Sequence, residues 1–302
     1  MAERKYNVVG LGELLWDLLP SGKQLGGAPA NFAYVTNLLG DNGIPASRIG
    51  DDSFGAEAVQ KLTQLGLPAR FVQRDSAHPT GTANVKIDTS GQPGFEILQP
   101  VAWDFLEWNQ QWLQLAGEAD AVCFGTLAQR SAQSQSTIRS FLMATRPEAI
   151  RIFDVNLRQH FYSRYVVDES MKLATIVKLN HEELPKIMHL LEFENDDEQG
   201  SAKQLLFAYH LELICVTRGE AGSLLITADE VSDHQGIKVK VADTIGAGDA
   251  FTATMVHGYL RGLPLDQINE TANRVGAWVA SQSGATPSPK PYALAKTLQA
   301  MV

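Results

Sequence analysis

The segment Asp243-Thr-Ile-Gly-Ala-Gly-Asp249-Ala-Phe251 runs a Gly-Ala-Gly turn into an apolar helical stretch with a carboxylate at the junction. Two glycines let consecutive backbone N–H groups point the same way, and the first helical turn adds unpaired donors and the positive end of its dipole. Such a turn favours an anion, whether phosphate or a developing oxyanion. Asp249 stands beside it as a candidate base. A plainer reading stays open, because Asp before an apolar run is a favoured N-cap. A second turn, Gly26-Gly27-Ala28-Pro29-Ala30-Asn31, also leads into a predicted helix, Ala30 to Leu39, closed by Gly40. Asp17 can accept from two hydroxyls, Gly26 and Gly27 permit close backbone approach, and Asn31 offers both a donor and an acceptor. Paired donors and acceptors of this kind suit a polyol. A surface Asp, an ordinary turn and a helix-face Asn are the alternatives. Arg158 follows Asp154-Val-Asn156 at a strand end, which in an α/β sheet faces the crevice. It could bind a sugar or clamp a phosphate, or form a salt bridge with Asp154.

The elements that must position these groups alternate between short apolar runs and longer amphipathic ones, as a parallel sheet with crossover helices requires. Strands are predicted at Tyr6–Leu11, Ala46–Ile49, Ala121–Phe124, Arg151–Val155, Ile176–Leu179 and Leu213–Thr217. Helices are predicted at Ala30–Leu39, Gly55–Leu65, Ala132–Thr145, Ala202–His210, Ala250–Arg261 and Leu265–Ser281, with Gly40, Gly66 and Gly262 as stops. Glu13–Pro20 reads as a further strand, and Thr80–Asp88 with Phe95–Gln99 as a hairpin around Thr89-Ser-Gly-Gln-Pro-Gly94. The acidic stretch Glu192–Glu198 reads as a solvated loop before a helix.

The two turns together resemble the paired patterns of the ribokinase-like sugar kinases, also called PfkB carbohydrate kinases. The resemblance spans almost the whole chain. It takes in Gly12-Glu13-Leu-Leu-Trp-Asp17, Ile49-Gly50-Asp51-Asp52-Ser-Phe54-Gly55, Asp154-Val-Asn156-Leu-Arg158 and Asn180-His-Glu-Glu183. Thr217-Arg-Gly219-Glu-Ala-Gly222 and Gly284-Ala-Thr-Pro-Ser288 complete the family order. The Gly-Glu-Leu-Leu-Trp-Asp opening and Asp-x-Asn-x-Arg look most like the fructokinase branch. The resemblance implies a single α/β domain over residues 1–302, a three-layer α/β/α sandwich with a mostly parallel central sheet. It adds a small β-sheet lid from about 13–24 and 78–102, which in many relatives is also a homodimer interface.

By the same resemblance the activity is ATP-dependent phosphorylation of a sugar hydroxyl, with D-fructose to fructose 6-phosphate leading. 2-Keto-3-deoxygluconate follows, then ribose or a nucleoside. Phe124-Gly125-Thr126 replaces the acidic residue that ribose kinases tend to carry there, which counts against ribose. A catalytically silent sugar-binding regulator would predict loss of the base or the glycines, and both are present. The resemblance makes Asp249 the base and the N–H groups of Gly246, Ala247 and Gly248 the anion hole. It gives the sugar to Asp17, Gly26, Gly27, Asn31 and Arg158, and ATP to Thr217, Gly219, Gly222, Gly248 and, beside adenine, Asn273. Asn180 and Glu183 fall to the triphosphate and, through waters, Mg²⁺. More distantly it implies K⁺ beside the anion turn, held at Asp243, Ile245, Val279, Gln282, Gly284 and Ser288. Ile245 departs from the usual Thr or Ser, so only its carbonyl could serve. Trp16, Phe95, Phe105 and His160 are candidates to touch the sugar or simply to pack.

Composition fits this reading. The chain has 44% hydrophobic and 20% charged residues and a net charge of −9, which argues against a broad nucleic-acid or anionic-membrane surface. No apolar run approaches spanning length and the start lacks a secretory apolar region, so a cytoplasmic enzyme is expected. Cys123 and Cys215 lie in apolar strands and read as buried thiols. Competing motifs fail: Gly22-Lys23 is followed by Gln24, there is no His-Arg-Asp loop, and Gly10-x-Gly12 lacks a third glycine at the dinucleotide spacing. The seven histidines show no zinc-ligand spacing.

Overall fold

The computed structural model describes residues 4–19, 22–87, 93–194 and 197–288. The chain opens with β1 (Asn7–Leu11), β2 (Leu15–Leu19), β3 (Gly22–Gly26), α1 (Ala28–Leu38), β4 (Asn42–Gly50), α2 (Ser53–Gln64) and β5 (Val72–Asp75). It continues with β6 (Gly81–Ile87), β7 (Pro93–Ile97), α3 (Gln110–Glu118), β8 (Ala121–Phe124), α4 (Ala132–Met143), β9 (Ile150–Asp154) and α5 (Arg164–Leu173). Then come β10 (Ile176–Asn180), α6 (Glu183–Leu190), α7 (Glu198–Ala208), β11 (Leu213–Thr217), β12 (Ser223–Ile226) and β13 (Val231–His234). Two long helices, α8 (Ala247–Leu260) and α9 (Leu265–Ala280), follow.

Nine strands form one sheet in the order β13-β12-β11-β10-β9-β8-β1-β4-β5. It is parallel from β11 through β5, while β12 and β13 pair antiparallel at one edge. Its strands are apolar on both faces because helices cover both. Alternation sends Val9, Leu11, Val122, Phe124, Val177, Leu179, Ile214 and Val216 to the core shared with α3 to α7. The opposite set, Val8, Ala121, Cys123, Ile152, Ile176 and Cys215, packs with α1, α2, α8 and α9. The α/β/α sandwich is thus present as expected. Lys178 and Asp154 share parity with Ile176 and Ile152, and so lie on the α8 side, paired in register.

A second sheet of four strands has the order β3-β2-β6-β7. Its β2 and β6 are parallel, with β3 and β7 antiparallel outside them. The expected strand from Glu13 begins at Leu15, which leaves Glu13 in the connection between the two sheets. Thr89 to Gln92 of the expected turn, like Pro20, lie outside the described residues, as do Asn195 and Asp196 of the acidic stretch. Asp197 in that stretch caps α7, its Oδ1 accepting from Gly200 N at 2.6 Å.

Several elements escape the sequence patterning. β5, β12 and β13 are short edge-side strands of four residues each. α5 and α6 are amphipathic but brief, at ten and eight residues. The predicted glycine stops hold: Gly40, Gly66 and Gly262 take φ of 98°, 74° and 65° just past their helices. No helix among the described residues is long and apolar enough to cross a membrane.

Candidate active site

Strand order reverses at β1, flanked by β8 and β4, and the crevice at such a point is where open α/β sheets bind ligands. A cleft of about 990 Å³ opens there. The small sheet walls one side with Leu15, Asp17, Ala83 and Ile97, and the Gly-Ala-Gly turn lies across from it.

The turn differs from expectation in one respect. α8 starts at Ala247, not near Ala250, with Gly246 as its N-cap in the left-handed region at φ 78°. A Cβ at Gly246 would lie 2.6 Å from that of Ala285, so both backbone and space demand glycine. Asp249 is therefore the third helical residue, not a junction or cap. Its Oδ2 accepts from Asn31 Nδ2 at 2.9 Å, which joins α1 to α8 across the cleft floor. The expected anion hole also shifts. Ala247 N–H is drawn to Thr244 O at 3.3 Å, whereas no acceptor within the described residues meets the N–H groups of Gly246, Gly248 and Asp249. These are the donors left for an anion.

Electrostatics around Asp249 are those of a buried charged cluster. Burial pushes its carboxyl up to about 6, with Asp154 adding, while Asn31, Lys178 and Arg158 pull the other way. Glu13, 5% exposed, is pushed up to about 7 by burial, despite the backbone N–H groups of Glu13 and Ala28. Asp17 is raised to about 6, again first by burial, with Arg158 opposing and Asp243 adding. Lys178 Nζ bonds Asp154 at 3.0 and 3.3 Å, and Thr252 Oγ1 donates to Asp154 at 3.0 Å. Burial opposes the lysine's charge, but Asp154 and Glu183 outweigh it and the ammonium is held firmly. A Cβ placed on Gly248 would sit 3.3 Å from that ammonium, so Lys178 stands directly behind the anion turn.

Most predicted residues converge on the cleft: Asp17, Gly27, Asn31, Arg158, Asn180 and Thr217, then Gly219, Gly222, Ile245, Asn273 and the turn itself. Gly26 and Glu183 do not line it, and several of the others have their form set by the fold itself. Gly26 lies off the wall, and its missing side chain makes room for Asp17, whose Oδ2 would be 2.2 Å from a Cβ. Gly27, at φ 109°, lets the Glu13 carbonyl approach. Gly222 is glycine because the backbone of His234 and Gly236 closes on it. Asn273 spends its amide nitrogen on Ser223 Oγ at 2.7 Å and on Asn269. Glu183 is buried, its oxygens accepting from Leu157 N at 2.7 Å and Asn180 N at 2.9 Å, while Glu182 faces the cleft. The alternative of an Arg158–Asp154 bridge is not seen, Asp154 pairing instead with Lys178. Trp16 donates to Phe54 O, Phe105 stacks on His78, and neither they nor His160 line the cleft.

Around the proposed cation position, Asp243 ties two loops together. Its Oδ1 accepts from Ile245 N at 3.0 Å and its Oδ2 from Gly284 N at 3.2 Å. Gln282 N bonds Val279 O, and Ser288 ends the described chain nearby in sequence. Among the described residues no three His, Cys, Asp or Glu side chains gather as a metal site. A metal carried by phosphates and waters suits this donor set.

A model of the pfkB family of carbohydrate kinases matches residues 21–291. The chain belongs to this family. It is a carbohydrate kinase and hence a phosphotransferase. A fructokinase of Klebsiella pneumoniae is 33% identical over 82% of this kinase and 82% of its own length. A fructokinase of Escherichia coli is 31% identical over 91% and 93%. Among solved structures, an uncharacterized sugar kinase of Pyrococcus horikoshii superposes with a TM-score of 0.84 at 28% identity, covering 98% of this kinase and 100% of that chain. A Vibrio cholerae fructokinase solved with fructose, ADP and a calcium ion gives 0.79 at 26% identity, covering 97% and 99%. The same enzyme in a double-mutant form was solved with a potassium ion.

The sequence reading missed two residues of this kinase's site, Glu13 and Lys178. Each left a signal: a charged residue inside an otherwise apolar stretch, Val8–Trp16 for one and Ile176–Leu179 for the other. A buried charge needs a partner or a function.

Proposed function

We propose that this kinase transfers the γ-phosphate of ATP to a hydroxyl of D-fructose, yielding fructose 6-phosphate. The observation that carries the chemistry is Asp249, half-buried at the N-terminus of α8 beside unpaired N–H groups and bonded to Asn31. The fructokinase relatives support the acceptor.

Asp249 takes the proton of the attacking hydroxyl. Asn31 orients that carboxylate, and its own Oδ1, buried without a partner among the described residues, is an acceptor for a second hydroxyl. Asp17 binds further hydroxyls from the small sheet. That sheet, with β2 and β6 against the cleft, acts as a lid that excludes water from the transfer. It is also the surface for pairing two copies.

Gly246, Gly248 and Asp249 N–H groups, with the α8 dipole, hold the charge that develops on the transferred phosphoryl. Lys178 adds a fixed positive charge behind Gly248 at no cost in reorganisation. The nucleotide lies along Asn180, Thr217 and Gly219, with Val239, Val241, Ala277 and Ala280 as an apolar wall for the base. Mg²⁺ would supply charge neutralisation on the phosphates, held by them and by waters near Asn180 and Glu182, with Glu183 fixing that loop. K⁺ would sit where Asp243 joins the turn to the 280s loop.

One observation favours a second acceptor. Arg158 is exposed at the cleft, and among the described residues its guanidinium bonds only the Leu157 carbonyl, at 3.4 Å, so a sugar acid such as 2-keto-3-deoxygluconate would find a cation waiting. An ADP-release assay over fructose, 2-keto-3-deoxygluconate, ribose, glucose, tagatose and adenosine separates these. Turnover on fructose far above the rest is expected. Preference for the acid sugar gives Arg158 the carboxylate and overturns the fructose assignment.

A further inference from the structure

Behind the base lies a small cavity of about 20 Å³, walled by Glu13, Asp154, Asn156 and Asp249 and closed by Phe32 and Phe124. A volume of about 10–15 Å³ admits one water when polar groups meet it, and three carboxyl side chains do so here. Glu13 lines both this cavity and the main cleft. Asp249 does the same. The cavity therefore adjoins both the proposed base and a second acid.

The catalytic step gives this connection a use. When the hydroxyl O–H bond breaks and its oxygen bonds phosphorus, the proton ends on Asp249. With sugar and nucleotide filling the cleft, that proton has no open path forward. Asp154 cannot take it readily, because Lys178 and Thr252 already hold both its oxygens. Among the described residues no side chain bonds the Glu13 carboxyl, which the backbone N–H groups of Glu13 and Ala28 face. We propose that Glu13 is a proton-relay residue, which receives the proton from Asp249 through a single water in this cavity.

The transfer balances: Asp249 returns to the carboxylate, Glu13 becomes the neutral acid, and its proton leaves when the cleft opens. Its direction fits the groups that face each acid. Glu13 meets Asp249, Cys123 and Arg158, while Asp249 meets Asp154, Lys178, Arg158 and the Asn31 amide. The Asp249 carboxylate raises the proton affinity of Glu13, while Lys178 and the Asn31 amide favour the ionised form of Asp249, which suits transfer toward Glu13.

The test is single turnover with enzyme in excess, following sugar phosphate by quenching and proton release with an indicator dye, in Glu13→Gln and Glu13→Asp. This relay rests on Asp249 as the base. Glu13→Gln should slow phosphorylation about 10-fold with nucleotide affinity kept. Its acid limb should show one ionisation near 6, where the wild type shows two, near 6 and 7. Glu13→Asp, a shorter acid, should recover part of the rate. Unchanged turnover and pH profile in Glu13→Gln would overturn the relay. So would a loss in both variants that tracks melting temperature and leaves the profile unmoved, the mark of a structural role. If Asp249→Asn retains turnover, the base reading fails and takes the relay with it. An inactive Asp249→Asn beside a fully active Glu13→Gln overturns the relay alone.

Discussion

Asn31 Nδ2 donates to Asp249 Oδ2 at 2.9 Å, a bond between residues 218 apart that joins the starts of α1 and α8. Each helix brings its own glycine turn, so the bond fixes the sugar side of the cleft to the phosphate side. It also stabilises the ionised form of Asp249, opposing the effect of burial. Asn31→Leu should therefore raise the Asp249 pKa and move the acid limb of kcat/KM upward. At pH 7 turnover should fall about 10-fold. A limb that stays in place would separate Asn31 from the base.

Asp249→Asn keeps the shape of the site but cannot accept a proton. Turnover should drop about 10²-fold or more, with nucleotide Kd within about threefold of wild type. Titration calorimetry with a non-hydrolysable ATP analogue checks the second part. A near-normal rate would defeat the assignment of the base.

Lys178 serves the buried pair with Asp154 and the field behind Gly248, and two variants separate these roles. Lys178→Met strands Asp154 without its cation, which should cost about 3–5 kcal/mol of stability. Turnover should fall about 10²-fold, as for loss of an oxyanion donor. Adding Asp154→Asn should restore the melting temperature without restoring the rate. Recovery of both would show the lysine to be purely structural.

Asp243 holds Ile245 N and Gly284 N together, and the carbonyls around that clamp set the proposed K⁺ position. K⁺ should raise kcat about threefold or more over tetramethylammonium at fixed ionic strength. Equal rates in the two salts would remove the cation from the mechanism.

The fold was legible where a residue's surroundings are local. The buried strands announce themselves as apolar runs, and the helix stops at Gly40, Gly66 and Gly262 need only a left-handed residue. The glycine turns and Asp249 were legible for the same reason. What the sequence could not convey was direction. Glu183 stands in a helix's first turn next to Glu182, and only the fold decides which of the two turns inward. Lys178 looked like an interruption in a strand until Asp154 came alongside in register. Gly26 and Gly222 read as ligand turns, yet a side chain and a neighbouring backbone fill the space that their missing Cβ leaves.

The carboxyls predict an unusual dependence of stability on pH. Glu13, Asp17 and Asp249 hold protons more tightly in the folded protein than in the unfolded chain, with values near 7, 6 and 6. Between about pH 4 and pH 7 the native state thus binds more protons, and stability falls as pH rises through that window. Asp41 acts in the opposite sense. Burial alone would raise its pKa, but His257, Arg261 and the Tyr6 N–H hold it down at about 2. Its contribution is present above about pH 4 and lost as pH falls toward 2. The ligand-free melting temperature should accordingly fall by several degrees, on the order of 5 °C, between pH 5 and pH 8. Glu13→Gln should flatten the neutral limb by removing the highest of the raised groups. Asp41→Asn should weaken the acid limb and cost about 3 kcal/mol at neutral pH, since it leaves Arg261 and His257 without their carboxylate. A melting temperature that climbs steadily from pH 5 to pH 8 would contradict the raised cluster and with it the electrostatic account of the cleft.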